Sequence, residues 1–282
     1  MTRQNRHITD ALTTADLWAL MRRRVPPVVS EYFRGGADAE TTLRANVRAF
    51  QQSVTTAQGA QKFSSLDMRT AMAGHHLAVP WFIAPVGSLR SLYPMADAIA
   101  SQVAGEFGTV MAQSTFSGTT MEDVTQASKG DCWFQLYLCG GRETALRGIE
   151  RAKQAGFTGL ILTIDTSVSG LRAQHARMKP MQVTGSFSGL SFREQLELAV
   201  RKLMVVPQML PRLPWLIDHL RDGGLMQFVN VIDAQGQPLP YADIETQLAA
   251  SAVTWDDLTW IKEAWGEDKP IIIKGVHCAH DA

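Results

Sequence analysis

The stretch Leu160–Arg172, LILTIDTSVSGLR, runs from a continuously apolar segment straight into a string of polar groups. Leu160, Ile161, Leu162 and Ile164 read as a strand covered on both faces, because a half-wet strand would alternate apolar with polar residues. A parallel sheet wrapped in helices is the setting for such a strand. Thr163, Asp165 and Thr166 then fall at its carboxyl end, where (β/α)-barrel enzymes carry their chemistry, and Arg172 follows in the loop. The plainer alternative is a buried strand that ends in a hydrogen-bonded turn.

Working outward, the same rhythm recurs on both sides. VPWFIAPVG (79–87), GTVMAQST (108–115), CWFQLYL (132–138) and GLILTID (159–165) alternate with helical patterns at 95–106, 120–127 and 142–155. Further on, TWDDLTWIKEAWG has helical apolar spacing behind a capping Thr254, and PIIIKG (270–275) reads as one more buried strand. Strands alternating with helices imply parallel βαβ units, wound right-handedly into an open sheet or a barrel. No GxGxxG follows any strand, which argues against an open dinucleotide-binding sheet. The expected fold is therefore α/β, an open sheet or a barrel, with the missing motif counting against a dinucleotide-binding open sheet.

An N-terminal helical segment precedes this pattern. Thr14 is expected to cap ADLWALMRRR, Pro26 and Pro27 interrupt it, VVSEYFRGG stops at Gly35 and Gly36, and a third helix runs from about Ala39 to Phe50. Residues 51–78, with β-prone HHLAV, read as a connector closing one end of a core. The domain reading is thus 1–78 for helices and connector, and 79–282 for the barrel. The barrel is broken at about 173–250 by a long insertion that contains FREQLELAVRKLM and VVPQMLPRLPWLIDHL. A loop of this length is usually functional or mobile.

Composition narrows the function classes. Of the 282 residues, 45% are hydrophobic and 19% charged, enough for a large core, and 27 basic residues balance 27 acidic ones. Zero net charge offers no footprint for nucleic acid. Cys132, Cys139 and Cys278 lack CxxC spacing, and His75, His76, His175 and His219 lack ligand spacing, so neither a disulfide framework nor a metal site is expected. No leader-like apolar core and no run approaching ~18 apolar residues is present, which places the chain in the cytoplasm. The insertion qualifies that placement. Met204–Leu220 is apolar and flanked by Arg201, Lys202, Arg212 and Arg221, a pattern suited to peripheral contact with the inner membrane face, or to a helix covering the barrel mouth.

The strand ends supply the candidate site: Pro85, Val86 and Gly87; Ser114; Gln135 with Tyr137; Thr163 with Asp165; and Lys274. In a parallel barrel these ends converge on one mouth. Lys274, directly after Ile271–Ile273, is the sharpest of them, since a buried ammonium is costly unless something anionic or strongly accepting meets it; a lysine reaching solvent is the alternative.

Taken in order, EYFRGGADAETTLRANVRAF, VPWFIAPVG, WFQLY, LTIDT with Arg172, and SAVTWDDLTWIKEAW with IIIKG resemble the FMN-dependent 2-hydroxy-acid oxidases and dehydrogenases, the group that includes glycolate oxidase, L-lactate dehydrogenase and mandelate dehydrogenase. The resemblance runs from about residue 8 to the last residue, leaving only the insertion unmatched. It implies a TIM (β/α)8-type barrel with about five of its eight strands present, FMN as cofactor and a small 2-hydroxy acid as substrate, oxidised to the 2-oxo acid. Pro85, Val86 and Gly87 would run past the flavin ring, Ser114, Gln135 and Thr163 would hydrogen-bond its polar edge, and Lys274 would lie near its N1–C2 carbonyl side. Tyr32, Tyr137 and Arg172 match the substrate residues, Arg172 clamping the carboxylate through its planar fork. The implied reaction removes the hydroxyl proton with a general base while a hydride equivalent passes to flavin N5.

Departures from the family pattern sharpen these expectations. The usual paired arginines appear here as Leu171 and Arg172, so one arginine carries the carboxylate. Phe116 is expected to shape the substrate pocket. Gly87 resembles the dehydrogenase branch, which favours a quinone or another protein over oxygen as electron acceptor. The SNHGG(R)Q motif that supplies the family's catalytic histidine, and the strands that supply its phosphate site, have no counterpart in these 282 residues. His277 and His280 match no catalytic position, so no catalytic residue is assigned. The expectation is a C-terminally truncated chain that neither turns over 2-hydroxy acids nor holds FMN tightly by itself, with a homo-oligomer expected of a full-length form. A catalytically inactive remnant or partner-dependent subunit of the same fold is the alternative reading, and a phosphate-sugar barrel enzyme a weaker third.

Overall fold

The computed structural model describes residues 8–166, 170–172, 210–224, 227–232, 236–238 and 252–280. The chain divides into two compact units, one formed by residues 1–61 with 170–224 and the other by 62–169 with 225–282.

The larger unit holds the parallel sheet. Its strands are β3 (Met111–Ser114), β4 (Cys132–Leu136), β5 (Gly159–Thr163) and β6 (Ile271–Lys274), in that spatial order and all parallel. They are preceded by an antiparallel hairpin of β1 (Thr70–Met72) and β2 (His75–Leu77). Ala73 and Gly74 turn the hairpin with positive φ at both positions, the backbone that a two-residue connection requires. Among the described residues, four helices belong here: α4 (Ala96–Glu106), α5 (Met121–Ala127), α6 (Gly141–Gln154) and α8 (Asp257–Trp265).

Alternation along each strand assigns its two faces. Met111, Cys132, Phe134, Leu136, Leu160 and Leu162 pack with Met121, Val124, Ala145, Ile149, Ala152, Ile261 and Trp265 from the helices. Ala112, Trp133, Ile161 and Ile272 form the opposite face, where Leu77, Met72 and Val110 join them, so the hairpin does close one end of that core. Trp133 fits because its register partner is Gly159: a Cβ there would lie 2.5 Å from the indole Cδ1. This is the barrel arrangement, with helices outside and a second apolar face inside.

The expected first strand, VPWFIAPVG, departs from the reading. Only Ile83 pairs, as an isolated parallel bridge to Met111, donating to the Val110 carbonyl and accepting from the Ala112 amide. Pro80 and Pro85 have no N–H to give a ladder, and of the four residues between them only Ile83 pairs. Thr254 is also corrected. Residue 256 occupies the α8 cap position, and Thr254 instead donates its N–H and hydroxyl to the Asp257 carboxylate.

The smaller unit contains α1 (Thr14–Arg24), α2 (Pro27–Arg34), α3 (Thr41–Gln52) and α7 (Leu213–Arg221). Thr13, rather than Thr14, caps α1: its hydroxyl accepts from the Asp16 amide while the Asp16 carboxylate accepts from the Thr13 amide, a reciprocal capping box. The α3 helix starts at Thr41 because Asp38 and Glu40 both adopt left-handed backbone. Arg212 is not a loose basic flank. Its guanidinium donates to the Val25 and Arg22 carbonyls at the end of α1. FREQLELAVRKLM, His175, Arg201 and Lys202 lie outside the described residues.

Candidate functional site: a polar line on the inner face of the sheet

On the inner face, Ser114, Gln135, Thr163 and Lys274 stand two residues beyond Ala112, Trp133, Ile161 and Ile272, so the same alternation that builds the core points these four groups inward at the carboxyl ends of their strands. The first three form a continuous line. Ser114 Oγ donates to Gln135 Oε1 across 3.0 Å, and Gln135 Nε2 donates to Thr163 Oγ1 across 2.9 Å. All three are buried.

Lys274 is opposite Thr163 in the β5–β6 register, and its ammonium stands 3.5 Å from an Asp165 carboxylate oxygen. That is longer than a hydrogen-bonded ion pair, which closes to about 2.7–2.9 Å. Asp165, just after β5, is thus the counter-charge of Lys274. Gly275 enforces the approach. It has φ +100°, and a Cβ on it would lie 2.6 Å from the Asp165 Cβ.

Gly87 comes to the other end of the line. A Cβ there would lie 3.4 Å from the Phe116 Cβ and 3.7 Å from Ser114 Oγ, and the next amide, of Ser88, donates to the Phe116 carbonyl. Pro85, Val86 and Gly87 are all half-buried. The structure thus gathers the predicted cofactor residues into one region. Tyr137 belongs to the same unit, with its ring stacked on Phe116 at 4.9 Å and 21° between planes. Close by, burial pushes the Cys139 thiol up to about 11, which leaves it neutral and unsuited to act as a nucleophile.

Tyr32 and Arg172 meet within the smaller unit. Arg172 Nη1 donates to the Tyr32 carbonyl across 2.8 Å, and the guanidinium carbon lies 4.7 Å over the Tyr32 ring. Leu171, the residue standing where the family pattern has a second arginine, is exposed; its carbonyl accepts from the Asp38 amide.

A parallel barrel-type sheet whose strand ends carry uncharged hydrogen-bonding groups and one lysine defines a cofactor- or ligand-binding α/β enzyme fold. The sequence pattern of the FMN-dependent dehydrogenases matches residues 21–282, and the chain belongs to that family. It is 32% identical over 264 residues to an L-lactate dehydrogenase of Azorhizobium caulinodans, covering 93% of this chain and 65% of that protein. An L-lactate dehydrogenase of Pseudomonas entomophila is 31% identical over 272 residues, 95% of this chain and 67% of its own length. The crystal structure of the monotopic membrane protein (S)-mandelate dehydrogenase superposes with a TM-score of 0.79 at 26% identity, covering 97% of this chain and 68% of that one. The chain therefore spans about two thirds of the length of the curated relatives it matches.

The residues present fit the family's cofactor. A flavin ring presents alternating N–H and C=O groups along one edge, and a hydroxyl–amide–hydroxyl line can both donate to and accept from such an edge. Lys274 would place a positive charge beside such an edge.

Proposed function

We propose that this chain carries the ring-binding side of a site for FMN-dependent oxidation of a small L-2-hydroxy acid, of the lactate, glycolate or mandelate class, to the 2-oxo acid. The observation that carries the reading is the buried line from Ser114 through Gln135 to Thr163, with Lys274 beside it, in a chain of this family. Bound FMN supplies the two-electron acceptor. Ser114, Gln135 and Thr163 hold its polar edge, Pro85, Val86 and Gly87 pass along its ring, and Lys274 favours negative charge there. Arg172, oriented by Tyr32, holds a substrate carboxylate, and Tyr137 orients a substrate hydroxy acid through its phenol. Residues 79–282 form the barrel in this reading, with 173–250 inserted and 1–78 preceding it.

The test is anaerobic mixing of the protein, isolated as its source makes it, with L- and D-2-hydroxy acids. Bleaching of a flavin absorption band by the L-isomers alone is the expected result, and Gln135→Leu should weaken FMN binding. A protein that takes up no FMN, or a flavin reduced equally by both isomers, overturns the proposal.

Peripheral membrane contact and transfer of electrons to a quinone or protein, rather than to oxygen, complete the proposal. Leu213, Ile217 and Leu220 are exposed at one-face helical spacing on α7, Leu210 is exposed just before them, and Arg221 ends the helix. No helix among the described residues is long and apolar enough to cross a membrane. Flotation with anionic liposomes should carry the protein upward, and serine at 213, 217 and 220 should abolish this; unchanged flotation removes the α7 contact. Faster turnover with oxygen than with a quinone analogue removes the acceptor assignment.

A further inference from the structure

We infer that Arg151 and Asn230 are positioning residues for Tyr137, acting through segment 227–232, which they hold against the aromatic wall formed by Phe116. The inference rests on the reading of Tyr137 as a substrate residue.

Arg151 sits on α6 and uses its planar fork on two distant parts of the chain at once. Nε and Nη2 donate to the two carboxylate oxygens of Glu122, on α5, across 2.8 and 2.7 Å. Nη1 donates to the Val229 carbonyl across 2.9 Å. The Glu122 carboxyl is held below the usual carboxylate range, first by the hydrogen bonds from Arg151. A lysine could satisfy one of these acceptors but not the three in one plane. One residue further on, the Asn230 amide donates to the Thr119 carbonyl across 3.0 Å in a buried setting. Both ties fasten the segment to the β3–α5–α6 framework.

What the segment then presents is aromatic. Phe228 is buried in a cluster with Val231 and Cys139, and its ring lies 5.3 Å from that of Phe116, tilted by 55°. Phe116 in turn stacks nearly parallel on Tyr137 at 4.9 Å. The Tyr137 backbone is fixed separately: its amide donates to Thr115 Oγ1, whose hydroxyl donates to the Gln135 carbonyl. With the backbone held, Phe116 supports one face of the Tyr137 ring, and Phe228 packs against Phe116 in turn. Glu122, Arg151, Val229, Phe228, Phe116 and Tyr137 thus form one chain of contacts. The segment packs beside the substrate tyrosine through Phe228 and Val231.

The protein has four tyrosines, so incorporation of 3-fluorotyrosine gives four fluorine resonances, with Tyr137 identified by Tyr137→Phe. Arg151→Met and Phe228→Leu are expected to shift and broaden the Tyr137 resonance while the other three stay in place. In turnover, the KM for L-lactate should rise about tenfold in Arg151→Met, with FMN affinity unchanged and partial recovery in Arg151→Lys. A Tyr137 resonance unmoved in both variants overturns the inference, as does loss of FMN affinity in parallel with KM. If Arg151→Met does not fold, Phe228→Leu and Asn230→Ala decide by the same resonance. Failure of the wild-type protein to oxidise any 2-hydroxy acid refutes the proposed function; the fluorine spectrum is read without turnover and still decides whether Arg151 positions Tyr137.

Discussion

The side-chain amide of Gln135 on β4 donates to the hydroxyl of Thr163 on β5, while its own oxygen accepts from Ser114 on β3, so one buried residue joins three neighbouring strands at their carboxyl ends. Gln135→Leu keeps the volume but leaves both hydroxyls without this partner. Each buried polar group left unsatisfied costs about 1–3 kcal/mol. Urea unfolding of the protein without added FMN should show a loss of that order. Titration with FMN should show weaker binding as well. Unchanged stability would mean that Ser114 and Thr163 have alternative partners.

Gly275 is the tightest point beside Lys274. A methyl group there would overlap the Asp165 side chain and would also have to adopt φ +100°. Gly275→Ala should therefore destabilise the fold by about 1–3 kcal/mol, the cost of a strained backbone position. It should also push Asp165 away from Lys274. Thermal unfolding measures the first effect and a crystal structure of the variant the second; an unperturbed melting temperature would show that the β6 end yields freely.

The sheet and its polar ends are legible in the sequence because strands covered on both faces must be apolar until they leave the core, so Thr163 or Lys274 directly after such a run marks an end. That Ser114, Gln135 and Thr163 share one face follows from the register of the paired strands, which the sequence does not show. The failure at VPWFIAPVG has the converse cause: its hydrophobicity is that of a strand, but Pro80 and Pro85 limit hydrogen bonding to Ile83. The Arg151 junction is illegible for a different reason. It joins Glu122 and Val229 to a helix residue remote from both in sequence, and no local pattern distinguishes that arginine from a solvated one. Gly275 carried a usable signal, since a glycine immediately after a strand-end lysine marks a close approach or a left-handed turn.

Arg172 has its guanidinium over the Tyr32 ring and one N–H on the Tyr32 carbonyl. Lysine keeps the charge but neither stacks flat nor offers two parallel donors to a carboxylate. In a catalytically active form of the protein, Arg172→Lys should lower kcat/KM for L-2-hydroxy acids by about a hundredfold, the scale of a misplaced substrate, and leave FMN affinity unchanged. Steady-state kinetics beside an FMN titration separates the two. Equal kcat/KM in both proteins would remove Arg172 from the carboxylate site.

Asp97, near the start of α4, is fully buried, and desolvation raises its pKa from 3.8 to about 6 in spite of hydrogen bonds from Ser117 and Thr119 that pull the other way. Among the described residues its Oδ1 has no hydrogen-bond partner, in keeping with a carboxyl better accommodated in the neutral form. The folded state therefore binds a proton more tightly than the unfolded chain does. The stability this contributes is fully present below about pH 3.8 and is lost as the pH rises through about 6. Roughly two pH units of difference correspond to about 3 kcal/mol at most. Asp97→Asn removes the titration. Relative to the variant, the wild-type protein should lose stability between pH 4 and pH 6 and show a constant difference above about pH 7, with the asparagine form equal or more stable there. Denaturant unfolding at a series of pH values gives both curves; a wild-type curve parallel to that of Asp97→Asn across the range would show that Asp97 is ionised in the folded protein without cost.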